Sequence, residues 1–184
     1  MPRSSSRAPA SVDPDILIRV GIDASHKRTG WAIAVGPRIV EYGTHHVDLD
    51  APIHDRRAYW KQLRDTLRQI ERRERLDAHQ IGIEAPWLGP NRQGSIQHAR
   101  VIGMHEALAT ASFPYAHLSL IQPQTWRSAC GLPRSGKEPA MRYALAALRG
   151  SGHGADAEVD QDAADAICIV RTLYIKDQQE NAET

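Results

Sequence analysis

Apolar residues in this chain fall into two kinds of stretch: short dense runs and longer segments with helical spacing. Residues 16–23, Ile-Leu-Ile-Arg-Val-Gly-Ile-Asp, predict a buried strand that ends on an acid. Residues 30–35 predict a second strand, and residues 38–47 a third after the Gly36-Pro37 turn. Such short connections favour antiparallel neighbours. Residues 55–75 carry Trp60, Leu63, Leu67 and Ile70 at helical spacing and predict a long amphipathic helix. A fourth strand over 80–84 is stopped by Pro86, Gly89-Pro90-Asn91 is a loop, and a helix follows over 93–111. Residues 118–122 predict a short fifth strand ended by Pro123. Helices are expected over 125–130, 137–148 and 160–178, separated by a Gly- and Pro-containing loop and by the flexible stretch 150–154. This order fits an α/β fold, a central five-stranded mixed sheet with helices on both faces. Residues 1–15 lack periodicity and read as a disordered tail, which leaves 16–184 as a single domain.

The chemistry suggested by this pattern lies in acids at the ends of its elements. Asp23 closes the first strand and Glu84 the fourth; Asp162 and Asp165 open the last helix. Acids at the ends of buried strands are costly unless a cation compensates them, and hard divalent cations such as Mg²⁺ prefer carboxylate oxygens. A spacing of three puts Asp162 and Asp165 on one helix face. In the predicted sheet the first and fourth strands can be neighbours. The last helix can then bring its acidic N-terminus against them, where its macrodipole favours negative charge.

Composition narrows the picture modestly. The 184 residues are 41% hydrophobic and 24% charged, as in an ordinary soluble domain with room for a core. No apolar stretch approaches a membrane span. The N-terminal Arg and Ser residues are not followed by the apolar run of a secretory leader, so cytoplasmic residence is expected. A net charge of +1 argues against strong non-specific nucleic-acid binding. The arginines at 56, 57, 64, 68, 72 and 73 share their helix with Asp65, Glu71 and Glu74, as a solvated, self-paired face would. Two cysteines make no disulfide framework, and Cys168 reads as a core residue. The nine histidines show no metal-ligand spacing, and His98 and His105 read as structural or surface residues.

Taken together, these motifs resemble the RuvC family of Holliday-junction resolvases, within the RNase H-like nuclease superfamily. Gly21-Ile22-Asp23-Ala24-Ser25 followed by Thr29-Gly30-Trp31-Ala32 is similar to the family's first strand, turn and second strand. Ile83-Glu84 matches its second acidic position, and Asp162-Ala163-Ala164-Asp165-Ala166 resembles its C-terminal acidic pair. The segment Pro123-Gln124-Thr125-Trp126-Arg127 looks more like phage-encoded members, which leaves cellular branch-migration partners open.

The resemblance implies an RNase H-like fold with Asp23, Glu84, Asp162 and Asp165 as ligands of two Mg²⁺ ions, for which Mn²⁺ substitutes. It implies that Trp87 acts as an aromatic wedge at the junction, with Arg127 and Lys137 as DNA contacts. The implied activity is that of a homodimer making paired nicks in four-way or branched DNA, leaving 5′-phosphate and 3′-hydroxyl ends. Other readings stay open. The same acids serve nucleases of flaps, forks or RNA–DNA hybrids. An actin-like ATP-binding protein also follows a Gly-Ile-Asp strand with a phosphate loop, but needs about twice this length. A non-catalytic DNA-binding module could share the fold. Trp87 could merely cover the core edge, and Lys137 could be a surface residue at a helix start.

Overall fold

The computed structural model describes residues 13–25, 27–46, 53–86 and 92–183. Five strands, β1 (Ile18–Ala24), β2 (Arg28–Val35), β3 (Arg38–His46), β4 (Ala78–Glu84) and β5 (His117–Ile121), form one sheet in the order β3-β2-β1-β4-β5. The first three pair antiparallel, whereas β1, β4 and β5 run parallel. The helices are α1 (Ile53–Glu74), α2 (Arg92–Ser112), α3 (Pro123–Ala129), α4 (Glu138–Gly150) and α5 (Gln161–Ala182). The mixed sheet expected from the pattern is therefore the one that forms.

Element ends differ where pairing extends them. β2 begins at Arg28 because Arg28 and Thr29 pair with His46 and His45 of β3. Pro123 ends β5 and also starts α3, since its fixed φ and missing N–H suit the first helical position. Of the expected tail, residues 1–12 lie outside the described residues. Residues 13–15 belong to the domain: Pro14–Ile16 is a 3-10 turn, and Asp15 accepts hydrogen bonds from Tyr174 (2.9 Å) and Gln178 (3.2 Å) of α5. None of the described helices is long and apolar enough to cross a membrane.

Strand alternation divides the core into two layers. Ile18, Val20 and Ile22 of β1 join Ile33, Ile81 and Ile83 beneath α1 and α2. All four apolar positions read from the α1 spacing, Trp60, Leu63, Leu67 and Ile70, are buried in this layer. Burying each such side chain contributes about 1.5–3 kcal/mol. Lys61–Asp65, Arg68–Glu71 and Arg73–Glu74 pairs lie along α1, as a self-paired polar face requires. His105 of α2 is buried in the same layer. Its Nδ1 accepts from Trp60 Nε1 (3.1 Å), and its Nε2 lies 3.4 Å from Thr29 Oγ1. Burial holds its pKa down at about 4, so the ring stays neutral.

The opposite face carries α5. Arg19, Gly21 and Asp23 alternate with the apolar residues of β1, so a glycine sits at the centre of this face. A Cβ on Gly21 would lie 2.3 Å from the Ala166 carbonyl oxygen, and one on Gly30 of β2 would lie 1.9 Å from that of Asp162. These glycines let the α5 backbone rest directly on the sheet. Cys130 and Cys168 are both free and buried here, with Cys130 Sγ 3.6 Å from the Cys168 carbonyl oxygen. At the far end of the helix, Arg19 is fully buried and pairs with Asp177. Arg19 Nε also donates to Gln80 (2.9 Å), and Gln80 in turn donates to Asp177 (2.9 Å).

The helix–sheet contact predicts a graded glycine series. Gly30→Ala places its methyl against backbone that cannot rotate away, and should cost at least the ~1–3 kcal/mol of ordinary overpacking. Gly82→Ala meets only side-chain ends, Ile121 Cδ1 at 2.9 Å and Ile169 Cγ2 at 3.1 Å, and should cost less. Urea unfolding midpoints check the order; equal losses would mean that α5 shifts freely over the sheet.

Candidate active site

The site assembles at the carboxyl ends of β1 and β4. Their parallel register, Gly21 with Gly82 and Ile22 with Ile83, leaves Asp23 and Glu84 at the next position, on the α5 face. Asp23 also pairs with Gly30, the residue on which the first turn of α5 rests. Two close approaches, one strand to its parallel neighbour and one helix to the sheet, therefore bring Glu84, Asp162 and Asp165 within electrostatic reach of Asp23.

The electrostatics follow from that crowding. The pKa of Asp23 is raised well above the carboxylate range, first by burial and then by Glu84, Asp165, Asp162 and Asp160. No donor among the described residues hydrogen-bonds its carboxylate. Burial pushes Glu84 up to about 7; a hydrogen bond from Trp126 opposes that rise, Asp165 adds to it and Arg127 opposes it. Asp165 is raised by burial, against a hydrogen bond from Gln161 and the charges of Arg127 and Lys137. Like charges held together out of water are destabilising until a cation enters. An all-carboxylate donor set suits a hard divalent cation. Among the described residues, no three of these side chains already converge as a coordination group. The chemistry of the donors thus fits a divalent metal.

Several partners hold the acids in place. Trp126 Nε1 donates to Glu84 Oε2 at 3.0 Å, committing one carboxylate oxygen and leaving the other available. Gln161 Nε2 donates to Asp165 Oδ1 at 2.7 Å. Asp160 caps α5, accepting from the Ala163 N–H (3.0 Å) and from Thr44 Oγ1 (2.6 Å). Arg28 pairs with both Asp160 and Asp162. His98 Nε2 donates to the Ala24 carbonyl at 3.0 Å, pinning the backbone just after Asp23. None of these supporting roles was assigned from the sequence. Only Asp160 carried a local signal, because Asp three residues before a helical N–H is a common cap.

The expected DNA contacts lie differently. Lys137 immediately precedes α4, and its charge reaches Asp165. Arg127 stacks on the Trp126 ring, its guanidinium carbon 4.5 Å from the ring centre, and donates to the Gly136 carbonyl at 3.0 Å. Its charge also reaches Glu84 and Asp165. Arg127 thus ties the loop that carries Lys137 to the helix that holds Glu84. Trp87 lies outside the described residues.

No protein-family model matches the chain, and no curated protein matches it in sequence. Solved structures match it in fold. A structure described as "T. thermophilus RuvC in complex with Holliday junction substrate" superposes with a TM-score of 0.65 at 14% identity, covering 89% of this chain and 96% of the other. A second, described as "Thermus thermophilus RuvC structure", gives a TM-score of 0.63 at 14% identity over 89% and 97%. The chain has the RNase H-like fold of these proteins.

The crowded carboxylates predict an unusual pH response of the metal-free protein. Glu84, raised from an ordinary 4.5 to about 7, stabilises the fold fully below about 4.5 and loses that contribution as pH rises through about 7. Asp23 acts in the same direction. Asp23→Asn relieves the repulsion, so in EDTA its melting temperature should exceed wild type at pH 7 and approach it near pH 4.5. Differential scanning fluorimetry across this range checks the difference; a constant offset would mean that the acids do not share a field.

Proposed function

We propose that this chain is a metal-dependent endonuclease that resolves four-way junctions and related branched DNA. The observation that carries the reading is the shared electrostatic field in which Glu84, Asp165 and Asp162 all raise the buried Asp23, on a fold shared with a RuvC solved in complex with Holliday junction substrate. Asp23, Glu84, Asp162 and Asp165 would hold two Mg²⁺ ions, with Mn²⁺ able to substitute. The ions would supply water activation and stabilisation of the leaving 3′-oxygen. Glu84 presents its second oxygen because Trp126 holds the first. Gln161 orients Asp165, and Lys137 offers a phosphate contact at the rim. Phosphate contacts of this kind position the DNA without reading its bases.

In this reading a homodimer places two such sites on the two-fold symmetry of a four-way junction, and its paired nicks leave 5′-phosphate and 3′-hydroxyl ends. Trp87 follows the Glu84 strand closely and would stack on an exposed base, a contact worth about 1–3 kcal/mol. The Pro123-to-Arg127 segment supports grouping with phage-encoded members.

Synthetic four-way, fork, flap and linear duplex DNAs, incubated side by side with Mg²⁺, test the activity. The four-way junction should be cut in preference. Asp23→Asn and Asp165→Asn should abolish cutting while leaving junction binding largely intact. Near wild-type cleavage by either variant would falsify the metal assignment. Preference for flaps, forks or an RNA–DNA hybrid would keep the chemistry and change the substrate.

Salt titrations by fluorescence anisotropy test how affinity is built. Lys137→Ala should weaken junction binding and lower the salt slope by about 0.9 for each phosphate that the lysine neutralises. Arg127→Ala should do the same and also slow cleavage, because it releases the 131–137 loop from Trp126. Arg68→Ala, on a helix face already paired with Glu71, should change the slope least. A slope altered only in Arg68→Ala would move the DNA to the other side of the molecule.

A further inference from the structure

Arg28 is the one basic side chain in direct contact with a proposed metal ligand among the described residues, and its two contacts differ in kind. Its Nη2 donates a hydrogen bond to Asp160 Oδ2. Its Nε lies 2.7 Å from Asp162 Oδ2, yet the Nε–H has no hydrogen-bond partner, so that contact is one of charge without a directed bond. Asp160 is itself fixed by Thr44 and by the Ala163 N–H. The guanidinium is thus anchored on one carboxylate and merely leans on the other. The Arg28, Asp160 and Asp162 side chains are 41%, 42% and 23% exposed, so an entering ion can reach them.

We propose that Arg28 is a placeholder cation: it neutralises Asp162 in the metal-free protein and yields that carboxylate to a divalent ion while staying bound to Asp160. This rests on the reading that the acids hold metal, and adds that metal loading is set partly by competition with a built-in arginine. The physical reason is the asymmetry of the two contacts. A charge contact without a directed bond is weaker than a charge-assisted hydrogen bond to a carboxylate that two further donors hold in place, so the first yields to an ion before the second. Arg28 is therefore a positioning residue, acting on the reaction through Asp162.

Isothermal titration of Mg²⁺ into the EDTA-stripped full chain tests this without reference to cleavage. Arg28→Gln should bind Mg²⁺ roughly two- to fivefold tighter, as removal of a partly exposed charge pair implies. Its melting temperature should rise more on Mg²⁺ addition than that of wild type. Asp160→Asn, which keeps a helix cap but weakens the anchor, should let Arg28 settle on Asp162 and weaken Mg²⁺ binding. That weakening should vanish in the Arg28→Gln, Asp160→Asn double variant, because the competing cation is gone. A merely structural role would instead weaken binding in both single variants. Equal or weaker binding by Arg28→Gln, beside a wild type that binds Mg²⁺ and an Asp23→Asn that does not, would overturn the placeholder role alone. Should Arg28→Gln not fold, unchanged binding in Asp160→Asn would overturn it equally. A wild type with no Mg²⁺ binding dependent on Asp23 would remove the metal reading, and this inference with it.

Discussion

The structure depends on the seating of α5 directly on β1 and β2 at Gly21 and Gly30. No side chain fits between helix and sheet at either point. The first turn of α5 is pressed onto β2 beside Asp23, and Asp162 and Asp165 arrive with it. A methyl group at Gly30 would lift that turn, and the acids it carries would move with it. Packing here is therefore inseparable from the chemistry: the contact that completes the core also assembles the site.

Such an arrangement brings like charges together and needs means of holding them. Charges along the length of α5 do this. At its far end Arg19, fully buried, joins Asp177 and Gln80 in a closed network that leaves no buried charge unpaired. At its near end Arg28, Thr44 and the helix's own N–H hold Asp160. The helix is thus fixed at both ends, while Asp23 beside its first turn is raised by its acidic neighbours with no cation opposing them. Rigid support around an electrostatically unsatisfied centre is what a binding site for a small cation requires.

The second support is α3. Trp126 is almost wholly buried, yet its indole N–H ends on Glu84, and Arg127 covers its ring and ties down the following loop. One short helix thereby couples a β4 carboxylate to the loop before α4 and to Lys137. On the opposite face, neutral His105 joins Trp60 of α1 to Thr29 of β2, so the strand opposite Asp23 is braced from beneath as well. Both faces of the sheet contribute to holding the acids, although only one presents them.

The sequence by itself determined the order of the elements, the α1 core positions and the identity of the acids. Each of these is written in local periodicity or at a strand or helix end, where a few neighbouring residues carry the signal. The strand predicted over 38–47, described as Arg38–His46, and the α1 charge pairs were legible for the same reason. Only the tertiary structure decided that Arg28 faces Asp160 and Asp162, that Trp126 holds Glu84, and that Arg19 meets Asp177. These partners lie 132, 42 and 158 positions apart for Arg28–Asp160, Trp126–Glu84 and Arg19–Asp177. Their meeting follows from sheet order, from strand register and from the close approach that two glycines allow. Local sequence pattern carries no information about such distances, because the contacts exist only once the helix has settled on the sheet.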